Sequence, residues 1–491
     1  MKKINSFFIF YPLCCVLVFL RLEIFYGSDI RAPFTDDFYY YLTTAKNLLN
    51  SGFITFDKIS ITNGFQPLWF FLITLIFAIS KNDIIFNSII IFLIFIFTFL
   101  TYFNFKQYFL QKKYGENDSH QIACLISFLT LFFSKNGMEI SLAIFFFSLS
   151  LLYFHKNTLI FCLLSFLTFL SRLEFLIFYF IILTNELFIN KKILNKDYII
   201  KLSLLPFLII IYILLNIYFF GIPLPESGVS KSLVNKIKFN KETFNFLTSE
   251  GYGMKFISAL FYFNCLGIFF LFSKKIKNFT KISLLTTFLF FISNSLRSAW
   301  PLWTWHFFFL SISSPLLFND FLNLFRFRFL KYTDNFIGIF FVTAYLFLFI
   351  KNFNINNDHI LNIANKIDDH YSESNYETFA MGDMAGKISY LLDKKLIQLE
   401  GLVGGKKILT SIKNQKDLCE LFRELEIEIY LASKIKKVDN LYYIEEPSQK
   451  SNNLKKMRGK LSLEPEKTFI SGDIIVYAFN LKNKKFCAKI K

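Results

Sequence analysis

Seven cysteines in 491 residues are too few and too scattered for a zinc site or a disulfide framework, and only Cys419 and Cys487 are candidates for pairing. No internal repeat, glycine-rich phosphate loop or zinc spacing occurs anywhere in the chain. The sequence therefore carries no signature of a repeat array, a P-loop nucleotide site or a zinc module. No small-residue cleavage pattern follows the apolar run after Met1-Lys2-Lys3, and more apolar runs lie beyond it, so it reads as an uncleaved first span. Cys14-Cys15 lacks the small residues that precede a lipoprotein cysteine. Charged residues make up only 18% of the chain.

What fills the space is apolar: 54% hydrophobic residues, with a mean hydropathy of +0.44. Long apolar runs separated by short polar ones predict an integral membrane protein. The 70 Phe residues, beside abundant Ile, Asn and Lys, read as the codon bias of an AT-rich genome rather than as an aromatic binding device. The net charge is +18, but the tail from Asn352 holds 23 basic and 19 acidic residues, leaving +14 in the membrane half. Charge placed there orients a protein in lipid and does not point to nucleic acid.

Apolar runs predict spans at about 5 to 22, 84 to 104, 120 to 135, 139 to 154, 157 to 171, 173 to 189, 198 to 220, 254 to 273, 281 to 296, 304 to 319 and 335 to 351. The run from Phe65 to Ser80 reaches only about 24 Å against roughly 30 Å of hydrocarbon, and length alone does not decide it. Charge does. With that run lying in the outer interface, Lys2, Lys3, Lys106, Lys112, Lys113, Lys191, Lys192, Lys196, Lys274, Lys275, Lys277, Lys281, Arg326, Arg328 and Lys331 all fall on the cytoplasmic side. Counting it as a span reverses every later cluster. The expectation is about eleven transmembrane helices in residues 1–351, with a first external loop at about 23–83. The N-terminus is then cytoplasmic and the C-terminus extracytoplasmic. Residues 352–491 have another texture. Short β-rich runs at Thr378 to Met381, Leu396 to Leu399, Ile427 to Leu431 and Ile474 to Phe479 alternate with helical patterns at about 384 to 392 and 415 to 425. They predict a small α/β domain, long enough to bury its own core.

That topology gathers the polar residues of the membrane half on the outer face. Asp36 and Asp37 open a helical stretch in the first external loop, with Thr35 as the expected N-cap. Carboxylates in a first turn favour the helix dipole by roughly 0.3 to 1 kcal/mol, which explains them without chemistry. An ionised Asp there can also take a proton from an acceptor hydroxyl while nearby cations hold a phosphate leaving group. Adjacent helical positions point about 100° apart, so one acts and the other caps or orients. Arg172, Lys231 and Arg297 are the candidate cations, Arg suiting bidentate phosphate contacts and Lys a point charge. Lys231 and Arg297 read equally well as snorkelling residues, and Arg172 and Glu174 as a self-neutralising pair. Glu139 either orients an acceptor or caps its helix. Trp300, Trp303 and Trp305 read first as an interfacial belt and second as a sugar-stacking surface. His306 reads as a packed, hydrogen-bonded residue.

The segments Asp36-Asp37-Phe38-Tyr39-Tyr40-Tyr41-Leu42, Thr62-Asn63-Gly64-Phe65-Gln66-Pro67-Leu68-Trp69, Asn136-Gly137-Met138-Glu139, Arg172-Leu173-Glu174 and Gly221-Ile222-Pro223-Leu224-Pro225 come in this order. Gly382-Asp383-Met384-Ala385-Gly386 and Leu399-Glu400-Gly401-Leu402-Val403 follow in the tail. Together they resemble the GT-C superfamily of polyprenyl-phosphate-sugar-dependent glycosyltransferases, near its bacterial protein O-mannosyltransferase and aminoarabinose-transferase branch. The resemblance implies a polyprenyl-phosphate-linked sugar donor entering from membrane lipid, a glycan, lipid or protein acceptor from outside, inverting transfer, and an inner-membrane location. It makes Asp36 or Asp37 the base; beside it Arg172, Lys231 and Arg297 stand as the candidate phosphate-binding set, and Asn63, Gln66, Glu139, Glu174 and Trp303 as the candidate acceptor- or sugar-binding set. Gln66 departs from the pattern, since relatives often carry His there. A divalent cation, Mg or Mn, stays open, because some branches use one and others do not, and two adjacent Asp residues do not settle it.

Two competing classes are a transporter or flippase for a lipid-linked saccharide, and a non-catalytic envelope assembly protein. Transporters usually place substrate groups near the midplane and often carry repeated halves; here the ionisable residues gather at outer span ends and no repeat is found.

Overall fold

The computed structural model describes residues 7–26, 34–189, 196–324, 339–344, 346, 358–482 and 486–487. The expected boundary near 351 lies outside them, as do Lys2, Lys3, Lys191, Lys192, Arg326, Arg328 and Lys331 and most of the span expected at 335 to 351.

Up to Leu324 the described chain is helical. By length and composition three helices suffice to cross a membrane: Asp83–Gln111, Tyr198–Phe220 and Asn278–Arg297. Phe7–Val18, Pro67–Ile79, Ile140–Tyr153, Thr158–Ser171 and Phe175–Glu186 are apolar but shorter. The expected count of eleven is thus not what helix length alone returns. The short segment after Phe65 forms a helix from Pro67 to Ile79, with proline in its first turn where the missing N–H costs nothing.

In an apolar setting every polar group must find a partner within the protein. The hydroxyls of Thr98, Thr101, Thr130 and Ser134 each donate to a carbonyl four residues earlier, at 2.7 to 2.8 Å. Aromatic rings fill the contacts between helices. Phe7 stacks on Tyr102 with centroids 3.9 Å apart, and Phe147 meets Phe175 and Phe178 at 4.9 and 4.7 Å. Such pairs add about 0.5 to 1.5 kcal/mol each beyond the area they cover. Abundant Phe thus has a packing use here, whatever its origin.

In the tail, a five-stranded sheet runs in the order β2-β1-β3-β8-β7. Here β1 is Thr378–Met381, β2 Lys395–Gln398, β3 Ile429–Ala432, β7 Lys467–Ser471 and β8 Ile474–Asn480. The first three are parallel, and β8 joins both β3 and β7 antiparallel. A second, three-stranded antiparallel sheet comprises β4 (Lys436–Val438), β5 (Leu441–Glu446) and β6 (Met457–Leu461). Cys419 and Cys487 form a disulfide. Helix Ala385–Leu392 leaves the sheet and packs on Asp36–Ser51, the helix of the loop at about 23–83.

Candidate active site between the Asp36 helix and the tail

The loop helix starts at Asp36, with Thr35 in extended geometry at the N-cap position. Its hydroxyl does not cap the helix, as the sequence suggests, but donates to the carbonyl of Asn136 at 3.3 Å. This anchors the helix on the turn Asn136-Gly137-Met138-Glu139. Gly137 sits at φ +83, and a Cβ there would lie 2.7 Å from the Phe34 ring, so both backbone and space demand glycine. The Gly137 carbonyl accepts from the buried Trp69 indole at 3.1 Å.

From this anchored start the two carboxylates diverge. Asp36 accepts the Gly386 amide at 3.2 Å and the Lys387 amide at 2.8 Å, closing the N-terminus of the tail helix. A Cβ at Gly386 would come within 2.2 Å of the Asp36 carbonyl oxygen, so only glycine allows this approach. Lys387 in turn pairs with Asp358. Burial pushes the Asp36 carboxyl up to about 7, against the pull of the Lys387 amide and with the Asp37 charge adding to the rise.

Asp37 borders two cavities. The first, of about 680 Å³, lies under the tail and is lined by Asp37, Trp300, Trp303, Asp383, Glu400 and Lys434 among others. The second, of about 530 Å³, lies between helices and includes Gln66, Glu139, Arg172, Glu174, Arg297 and the apolar side chains of Ile209, Ile213 and Phe290. Asp37 and Lys231 line both. The exposed part of Asp37 thus faces these two half-open cavities. Burial raises its carboxyl to about 6; Lys231 opposes the shift, and Asp383 and Glu139 add to it.

In the inter-helix cavity Arg172 Nη1 donates to Glu139 Oε1 at 2.6 Å, and Nη2 reaches Glu174 at 3.4 Å. Arg172 is 3% exposed and its guanidinium lies 4.7 Å from the centre of the Phe308 ring. The Tyr41 hydroxyl donates to the other Glu139 oxygen at 3.3 Å. Arg172 Nε, Gln66 Oε1 and Glu174 Oε2 are buried without a hydrogen-bond partner. Arg297 ends its helix and is exposed at the cavity edge. Of these two cavities Trp303 lines the one under the tail, at 47% exposed and with its ring 6.2 Å from that of Trp305.

Asn63 lines neither cavity. Its amide donates to Asn216 at 2.7 Å and its oxygen accepts the Glu226 amide at 3.1 Å, a clamp between the loop and the turn after Gly221. Glu226 then accepts from the Thr62 hydroxyl and the Gly405 amide, both at 2.9 Å, tying loop and tail to the short helix Glu226–Lys231 that carries Lys231. Burial pushes Glu226 up to about 7.

Sequence reasoning did not single out Glu226, or Glu400, Glu446 and Lys434 of the tail. Glu400 and Asp383 did lie within the motif segments, but their convergence is set by the sheet. Glu446 accepts from the Tyr430 hydroxyl at 3.0 Å and is raised by burial to about 8; Glu400 is raised well above its ordinary value, again by burial first. Among the described residues no three His, Cys, Asp or Glu side chains group to hold a metal ion. Asp36 is turned to backbone amides, and the residues present do not fit a protein-held cation.

No protein-family model matches the chain, and no curated protein matches it. Among solved structures, it is similar to ArnT from Cupriavidus metallidurans bound to undecaprenyl phosphate. The TM-score is 0.57 at 9% identity, over 92% of this chain and 97% of that one. The apo state of ArnT gives 0.41 at 9% identity, over 87% and 92%. Across nearly the whole of both chains in the first of these comparisons, the protein shares the fold of ArnT.

Proposed function

We propose that the chain is a multi-pass inner-membrane glycosyltransferase that moves a sugar, with inversion, from a polyprenyl-phosphate donor to a cell-envelope acceptor on the extracytoplasmic face. The observation that carries this reading is the position of Asp37 and Lys231 on the shared border of two cavities. One cavity is walled partly by apolar helix faces, which suits a lipid-linked donor; the other opens under the polar tail, which suits an aqueous acceptor. The ligand bound in the similar ArnT structure, undecaprenyl phosphate, supports the donor class. The disulfide between Cys419 and Cys487 supports an oxidising, extracytoplasmic side for the tail.

In this mechanism Asp37 is the general base. It takes the proton of an acceptor hydroxyl as that oxygen bonds the anomeric carbon, while the carbon–oxygen bond to the donor phosphate breaks. Lys231 and Arg297 stabilise the charge that grows on the leaving phosphate. Arg172, already engaged by Glu139, adds fixed positive charge and keeps Nε for the donor. Gln66 and Glu174 offer buried acceptors to sugar hydroxyls. Asp36 holds the loop helix against the tail so that Asp37 keeps its place. No step is routed through a metal ion.

The test is mass spectrometry of lipid-linked glycans from a strain lacking the protein, beside its parent. The missing mass names the transferred unit. Wild-type protein should restore it and Asp37→Asn should not; restoration by Asp37→Asn to wild-type levels removes Asp37 as the base.

A further inference from the structure

The cavity under the tail holds polar atoms that the reaction chemistry does not use. Glu400 is 1% exposed and its Oε1 is buried without a hydrogen-bond partner. Trp300 is 5% exposed and its indole Nε1 is likewise unpartnered. Ser433 Oγ makes the third. All three residues line the same cavity, beside Asp37. Leaving a buried donor or acceptor unmade costs about 1 to 3 kcal/mol each, and three such atoms around one space mark where a ligand's polar groups belong. One is a donor, one an acceptor and one either, which is the mixed set that hydroxyls satisfy. On the same wall Trp303 stacks on the buried Trp305, 20° from parallel, and its own exposed ring offers a flat apolar face. About 680 Å³ is room for one or two sugar rings.

We infer that this cavity is the acceptor site and that it takes a saccharide, whose ring lies on Trp303, backed by Trp305, while its hydroxyls pair with Glu400, Trp300 and Ser433. A peptide would present backbone amides and carbonyls in extended order, which this compact set does not match; a lipid chain would strand all three atoms. The inference rests on the glycosyltransferase reading for the word acceptor, but the site stands on its own atoms.

Three of the four tryptophans of the chain line this cavity, so their fluorescence reports its occupancy. The full chain in lipid nanodiscs, free of sugar-headed detergent, is titrated with glucose, galactose, N-acetylglucosamine and glucosamine, and separately with a Gly-Ser-Thr-Gly peptide. At least one sugar should give a saturable change. Glu400→Ala and, at a more exposed position, Trp303→Ala should each weaken it about tenfold, the size of one lost hydrogen bond or one lost stacking face. No saturable change with any sugar, a sugar response unaltered in both variants, or saturation by the peptide instead, overturns the inference. Asp37-dependent transfer without sugar binding removes this site alone. Sugar binding by a wild-type chain that restores no lipid-linked product removes the glycosyltransferase reading and leaves the site.

Discussion

Asp36 Oδ1 accepts the Lys387 amide at 2.8 Å across 351 positions of chain, and this contact fixes the helix that starts at Asp36 to the tail. A carboxylate at a helix N-terminus gains from the dipole and from two otherwise unpaired amides. Asp36 borders only the cavity under the tail, whereas its neighbour Asp37 borders both cavities.

Gly386→Ala should break that contact, because its Cβ has no room beside the Asp36 carbonyl. A loss of about 1 to 3 kcal/mol is expected from the forced backbone shift. Thermal unfolding in nanodiscs measures it, and limited proteolysis should cut the tail earlier than in wild type. An unchanged melting temperature counts against the clamp.

Asp37 must be ionised to take a proton. With its carboxyl raised to about 6, transfer should be full near pH 8, half at about pH 6, and fall roughly tenfold per pH unit below 5. Initial rates from pH 4.5 to 8.5, on protein shown to stay folded, give the profile. A rate flat down to pH 5 contradicts the assignment of the base.

Arg172 and Glu139 form a buried pair at 2.6 Å. Removing one partner strands the other, so Arg172→Met or Glu139→Gln should each destabilise the protein by about 3 to 5 kcal/mol. The double variant should lose less than the two single losses added. Melting temperatures of the four proteins form the cycle; strict additivity would show that the pair carries no coupling.

Burial raises the folded-state pKa of Glu226 to about 7 from an ordinary value of 4.5. Between those values the folded protein holds a proton that the unfolded chain has lost. The contribution of Glu226 to stability is therefore whole below about pH 4.5 and lost as pH rises through about 7. Glu226→Gln keeps an acceptor for Thr62 and Gly405 without the buried charge. It should melt above wild type at pH 8, by up to about 3 kcal/mol of stability, with the gap closing near pH 5. A gap that does not narrow on acidification disproves the linkage.

Much of the tail was legible because its sheet strands are short apolar runs. Thr378–Met381 lies where its sequence predicts, and the runs ending near Leu399, Leu431 and Phe479 shift by only a residue or two. β4 was invisible, since Lys436–Val438 is exposed throughout, and β6 hides its inward residues Met457, Gly459 and Leu461 behind Arg458 and Lys460. Cys419 and Cys487 pair as the sequence suggested. The site was legible only in part. Helical geometry says that Asp36 and Asp37 diverge, but which one meets the tail depends on Gly386, far along the chain. Arg172 has Glu174 as its neighbour in sequence, yet its shorter contact is with Glu139, 33 positions away. Local patterns report periodicity and caps; they do not report which distant surfaces meet.

The short helix Glu226–Lys231 is held from the tail side at both ends, through Glu226 on Gly405 and Ser230 on the Glu400 carbonyl. Lys231 therefore owes its location to residues more than 150 positions downstream. The tail is not an appendage that could be trimmed or exchanged as a cassette. A shortened chain would keep its apolar helices and lose the address of a cation encoded in the other half, and a graft from a relative would have to bring its own loop.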